Sequence, residues 1–274
     1  MFFKYKTIRK PKLKQSLVII LSFLIIVLIL SELIDKYYLK FYQKSQKIDK
    51  SFFFNSLKPA CDCRNEKIRI DYSNKRYIFN INGSLINKYY SIEEKDFDSL
   101  VITCNPYKVI RRGSGQKVIG YSVYGSESFY YRYLELIART AKKYYPDWTI
   151  RFYHDETINK SIICELECLK NKYSYLDNVD FCNINEIPLA NWNANFIIQR
   201  FWRWFALGDE FVDVFLSRDS DFCIVEREQA AVLDWLNRNT IFHIMRGKCS
   251  HHKIFFSNIK LFVLKIILFT IFTC

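Results

Sequence analysis

The sequence predicts an α/β domain, built on a Rossmann-like and mostly parallel sheet, behind an N-terminal transmembrane helix. Three observations predict it. Strand-like runs alternate with helical periodicity across residues 117–246. An apolar run of 19 residues, Ser16–Ile34, carries one charge, Glu32. A central Val- and Phe-rich run from Phe211 ends abruptly in Ser217-Arg-Asp219-Ser-Asp221. Ligands of α/β sheets gather where parallel strands end.

Composition bounds the function classes. The 274 residues are half hydrophobic and 18% aromatic, enough for a sizeable core. A net charge of +13 first suggests nucleic acid or an anionic membrane surface. Its distribution argues against nucleic acid. Residues 1–15 hold six Lys or Arg and no acid, whereas residues 116–246 hold 15 basic and 18 acidic residues. The nine cysteines include no C-x-x-C pair of a zinc site. In an oxidising lumen some of them pair, in a pattern the sequence does not assign.

As a helix, Ser16–Ile34 spans roughly 28 Å, close to a hydrocarbon core of ~30 Å. The run is long for a cleaved signal peptide, and no small-x-small site follows it. The basic cluster before it stays cytoplasmic by the positive-inside rule. The expectation is a single-pass type II membrane protein: a tail at 1–15, a signal-anchor at 16–34 and the remainder lumenal. Residues 35–116 show no sustained period and read as a stem with local structure. Asn82-Gly-Ser84 and Asn159-Lys-Ser161 are glycosylation sequons, usable only on the lumenal side.

The folded domain is expected from Lys117. A strand runs from Lys117 to Gly125. Tyr130, Leu134, Ile137, Ala138 and Ala141 line one face of a helix over 129–144, ended by Pro146. Trp148–Asp155 is a second strand, followed by a helix near 161–171 and a short strand at 179–184. A helix over 196–207 leads into the central strand. Glu226–Asn237 is helical, and Thr240–Met245 is the next strand.

Asp219 and Asp221 lie one residue apart at the end of the central strand. Close carboxylates repel one another, and a divalent cation reconciles them; Asp oxygens suit Mg²⁺ or Mn²⁺. Asp-x-Asp is short and also recurs in charged loops, so the strand before it and the helix after it supply its context. Around it, Arg218 reaches a phosphate or balances the aspartates. Tyr121, Ser122 and Tyr124 end the first strand. His154-Asp155 is an orienting pair or a satisfied turn, and Arg227 and Glu228 are helix-terminal charges. His243 reads as a core histidine.

The blocks YYPDW…RFYHD (144–155), FWRWFALGDEFVDVFLSRDSD (201–221), REQAAVLDWL (227–236) and FHIMR (242–246) resemble the nucleotide-sugar-binding half of a GT-A glycosyltransferase. More closely, they resemble a poorly characterised group of membrane-anchored glycosyltransferase-like proteins. The resemblance covers residues 117–246. It implies metal-dependent binding of a nucleotide-sugar and glycosyl transfer to an acceptor in the Golgi or secretory-pathway lumen. It further implies Asp221 as direct ligand of Mn²⁺ or Mg²⁺, with Asp219 on the ion or the ribose. Tyr121, Ser122, Arg203 and Arg218 would bind the donor. No catalytic residue follows from it.

The resemblance stops at Arg246. The tail 247–274 has four Lys, no acid and a terminal apolar run broken by Lys265. It is unlike an acceptor-binding half and reads as divergent sequence from a truncated or misassembled coding region. Two alternatives stand beside the enzyme: an inactive truncated membrane protein, and a phosphohydrolase using Asp219 as nucleophile.

Overall fold

In a computed structural model, the described residues run from 48 to 257, except 62, 64–65, 83–87, 127–132, 169–176, 191, 195–196, 221–223, 239, 241 and 246–252. Six strands form the main sheet: β4 (Gln116–Ser122), β5 (Thr149–His154), β6 (Val179–Asn183), β7 (Val212–Arg218), β8 (Phe242–Met245) and β9 (Lys253–Ser257). Their order is β6-β5-β4-β7-β9-β8. The first four are mutually parallel, whereas β9 runs antiparallel to both β7 and β8. The protein is thus a mixed α/β fold with a four-stranded parallel sheet, in an order consistent with a Rossmann-like domain. The expected alternation of strand and helix is observed. Part of the tail read as divergent supplies β9.

The parallel strands are buried on both faces, which is why they read as continuous apolar runs. All six residues of β5 are buried, and so are six of seven in β4. Side chains alternate between the two faces. One face packs Ile119, Tyr121, Phe152 and Leu216 against helix α4 (Leu134–Tyr144) and the later helix Glu226–Asn237, through Ile137, Ala141, Val232 and Trp235. Helix α5 (Lys160–Cys168) adds Ile163 to this cluster; Glu226–Asn237 is α6.

The opposite face holds the main departure from expectation. Residues 48–116, read as a stem, form helices α1 (Lys50–Asn55), α2 (Glu94–Phe97) and α3 (Pro106–Arg112) and an antiparallel sheet. That sheet has the order β1 (Lys67–Ser73), β2 (Arg76–Asn82), β3 (Lys88–Glu93). Asn74 and Lys75, both at positive φ, make the two-residue turn of the β1–β2 hairpin. Phe53, Phe79, Ile81, Phe97, Val109 and Ile110 share one buried cluster with Val118, Tyr153, Phe211 and Phe215. The folded unit therefore begins no later than Ile48. Each α-helix here is too short to show a period, and β1 and β2 each offer only a few alternating apolar positions.

Three disulfides tie this segment down: Cys61–Cys164, Cys63–Cys168 and Cys104–Cys182. Cys164 and Cys168 sit one helical turn apart on α5, so they face the adjacent Cys61 and Cys63 as a double staple. Among the described residues, no helix is long and apolar enough to cross a membrane. The run expected to do so, Ser16–Ile34, lies outside them.

Candidate functional site

The parallel order brackets β4, the first of these strands in the chain, with β5 on one side and β7 on the other. The chain runs from β4 out to β5 and β6 on one side and then crosses to β7 on the other, so β4 and β7 flank the switch point where α/β sheets bind ligands. Three residues meet there. Ser122 ends β4, Asp219 follows β7, and Arg203 comes from a 3₁₀ segment, Gln199–Gly208, lying across the face of the sheet.

Glycine allows this approach. A Cβ built on Gly120 would lie 2.2 Å from the Arg203 carbonyl oxygen and 2.9 Å from the Phe215 ring. With only hydrogen at 120, the main chain of Arg203 settles on β4. Its N–H is donated out of the segment to Ser122 Oγ at 2.9 Å. That redirected N–H accords with tight 3₁₀ winding here, where the sequence predicts a helix over 196–207. From this pinned backbone the Arg203 guanidinium reaches Asp219 as an ion pair. Arg203 is 19% exposed and Asp219 45%. The buried Arg203 Nε has no hydrogen-bond partner among the described residues.

The far end of the 3₁₀ segment is anchored in the core. Asp209, which caps it, accepts from Arg151 at 2.7 Å, from the Thr103 N–H and hydroxyl at 3.0 Å each, and from the Phe211 N–H at 3.0 Å. Arg151 also donates to Gln116 Oε1 at 2.8 Å. Both members of the Arg151–Asp209 pair are fully buried. Burial alone would lower the Arg151 pKa, but Asp209, Tyr153 and Asp180 together outweigh it and hold the guanidinium above its ordinary value. Trp202 packs edge-on to Tyr124, and Trp204 packs against Phe215, flanking Arg203 on either side.

Alternation sends the other expected donor-binding residues away from this cluster. Tyr121 is fully buried on the helix-covered face, 5.3 Å from Phe152 between ring centroids. Arg218, beside Asp219 in sequence, points to that same face and pairs with Glu228 of α6; the two are 2% and 0% exposed. Glu228, expected as a helix-terminal charge, thus ties the first turn of α6 to the end of β7. Asp221, the expected direct metal ligand, lies outside the described residues. Among the described residues no three His, Cys, Asp or Glu side chains converge on one point. What the described site offers a hard cation is the half-exposed carboxylate of Asp219, already matched to a positive charge. A carboxylate oxygen is the ligand type Mg²⁺ or Mn²⁺ takes, but among the described residues no set of ligands forms around this one.

His154, at the end of β5, is 6% exposed. Desolvation dominates it and nearby Lys108 adds to the effect, bringing its pKa down to about 4 although the Asp155 carbonyl opposes the shift. Its Nδ1 lies 3.0 Å from that carbonyl, which can only accept, so Nδ1 carries the proton. The Asp155 side chain accepts from the Thr157 N–H at 3.1 Å, which makes the His-Asp pair a satisfied turn. A cleft of about 350 Å³ opens at the opposite edge of the sheet, among Lys117, Asp147, Trp148 and Asn178. It holds none of the residues named above for the switch point.

Sequence reasoning found Ser122, Arg203 and Asp219, but not Gly120; a lone glycine inside a strand pattern was the available signal. Compared with known proteins, the chain matches no protein-family model and no curated protein.

Proposed function

We propose that this protein is a glycosyltransferase-like membrane protein that binds a nucleotide-sugar with a divalent cation at the β4–β7 switch point. The observation that carries the reading is the convergence of Ser122, Arg203 and Asp219 at that point. A sugar-nucleotide brings a diphosphate, whose charge grows as the glycosyl bond breaks. Arg203 can meet such a charge with its guanidinium, which reaches Asp219 at the sheet edge. Asp219, with Asp221, would hold Mg²⁺ or Mn²⁺; when bound, the ion supplies Lewis-acid neutralisation of the leaving diphosphate. Ser122 keeps the Arg203 backbone in register. The three disulfides support a secretory-pathway location, because such bonds persist in oxidising compartments. The GT-A assignment, the Golgi lumen and the type II topology belong to this same proposal.

The test is a thermal-shift titration of the detergent-solubilised full chain with Mn²⁺ or Mg²⁺ and UDP or GDP. Wild type is compared with Asp219→Asn and Asp221→Asn. Ligand at about a hundred times its Kd should raise the Tm by roughly 5–10 °C. A metal-dependent rise with one nucleotide, absent in both variants, supports the reading. A folded protein that responds to neither nucleotide with either metal overturns it. Turnover of the matching nucleotide-sugar then separates an enzyme from a protein that only binds.

A further inference from the structure

We propose that Asn159 carries an N-linked glycan. The proposal rests on the lumenal placement given above. Asn159, Lys160 and Ser161 are all exposed; Asn159 ends the turn after β5, and Lys160 and Ser161 open α5. Asn159 caps the helix: its carbonyl accepts from the N–H groups of Ile162 at 3.0 Å and Ile163 at 3.3 Å. Its side-chain Oδ1 accepts from the Ser161 N–H at 2.9 Å and from the Ser161 hydroxyl at 2.8 Å.

A carboxamide nitrogen is a weak nucleophile because its lone pair is delocalised into the carbonyl. The sequon supplies a hydroxyl two residues on, where the transferring enzyme reads it beside the amide. Here that hydroxyl is already on the carboxamide oxygen, while Nδ2 has no hydrogen-bond partner among the described residues. The donor is an oligosaccharide carried on a lipid diphosphate. Nδ2 forms a bond to the anomeric carbon and loses one proton. The bond from that carbon to the diphosphate oxygen breaks, and the lipid diphosphate leaves with the electron pair.

The site also has a place in the fold. Thr157, two residues before Asn159, accepts the Gly125 N–H at 2.9 Å through its hydroxyl. The turn is therefore fastened to the loop after β4, on the same sheet edge as Ser122 and Asp219. A glycan at Asn159 stands on the β5 side of the candidate site. In the other sequon, Asn82 ends β2 and Ser84 lies outside the described residues, so no comparable geometry supports it.

The experiment uses the full chain expressed in a eukaryotic secretory host. Samples are treated with peptide N-glycosidase, read by gel mobility, and mapped by mass spectrometry for conversion of Asn159 to Asp. Free thiols are alkylated in the same samples. Asn159→Asp keeps the oxygen that accepts both Ser161 hydrogen bonds, so it removes the glycan while retaining the cap; Ser161→Ala removes the hydroxyl alone. We expect an enzyme-sensitive mobility increment in wild type that both variants lose and Asn82→Gln does not abolish. An unmodified Asn159 in a sample whose six paired cysteines resist alkylation overturns the proposal and leaves the lumenal placement standing. If those cysteines alkylate freely and Asn159 is unmodified, the placement and the proposal fall together.

Discussion

Gly120 and Arg203 are in contact through their main chains, because a Cβ on Gly120 would sit 2.2 Å from the Arg203 carbonyl oxygen. Backbone cannot rotate away as a side-chain tip can. Gly120→Ala should therefore lift the 3₁₀ segment off β4 and cost about 3 kcal/mol or more. Gly208→Ala is the matched control, since nothing lies within 4 Å of its built Cβ. Urea midpoints of the two variants read the difference. Equal midpoints would refute this account of Gly120.

The Arg151–Asp209 pair sits in the core, with Arg151 also donating to Gln116 and Asp209 also accepting from Thr103 and Phe211, while the buried Arg151 Nε has no hydrogen-bond partner among the described residues. Asp209→Asn leaves a buried guanidinium without its counter-charge and should cost about 3–5 kcal/mol. Because Asp209 terminates the segment bearing Arg203, nucleotide-dependent thermal shifts should weaken too, even at temperatures where the variant stays folded.

His154 makes stability depend on mildly acidic pH. Its folded pKa, about 4, lies below the ordinary 6.5, so the unfolded chain takes up the proton first. The contribution is present above pH 6.5 and is lost as pH falls from there towards 4. The full loss is on the order of 3 kcal/mol. Asp180 acts lower. Burial would raise its carboxyl, but the Arg112 and Arg111 guanidinia override that and hold it below its usual 3.8. Its contribution is present above 3.8 and declines as pH drops further. Unfolding free energies from pH 7 to 3 should show His154→Gln flattening the upper window only, with Asp180→Asn acting beneath it.

The double staple predicts non-additive losses. Either Cys61–Cys164 or Cys63–Cys168 alone still closes a loop of about a hundred residues, worth about 4.7 kcal/mol in the chain-entropy model. With one bond in place, the other closes only a small ring and adds about 2.5 kcal/mol. Replacing one cysteine pair by Ala should thus cost about 2.5 kcal/mol, and replacing both about 7. A double-mutant cycle with no coupling between the pairs would rule this out.

Much of the main sheet is readable because its strands are buried on both faces and written as unbroken apolar runs. Val214–Leu216 and the Asp219 that follows are the clearest case. Residues 48–116 are not readable in the same way. Ile68 and Ile70, or Phe79 and Ile81, do alternate, but with Tyr, Asn, Arg and Asp between them in runs of seven residues, the signal is brief. Arg218 illustrates a different limit. The sequence puts it next to Asp219, yet alternation sends the two to opposite faces. Its partner Glu228 is identified only once α6 is docked. A lumenal placement implied that some cysteines pair, but the partners lie 103, 105 and 78 residues apart and depend on the whole fold.

The cystine from Cys61 to Cys164 also sets how this molecule bears mechanical load. Tension between the N-terminal side of Ile48 and the end of the sheet crosses that covalent link directly. With Cys63–Cys168 as a second such link, everything from residue 64 to residue 163, from β1 through β5, lies inside the bridged loops and off the load path. Stretching can draw out only the short lead from Ile48 to Cys61 and the chain beyond Cys164. The two strands that begin the parallel sheet, including Ser122 at the tip of β4, are held out of reach of any pull the covalent frame survives.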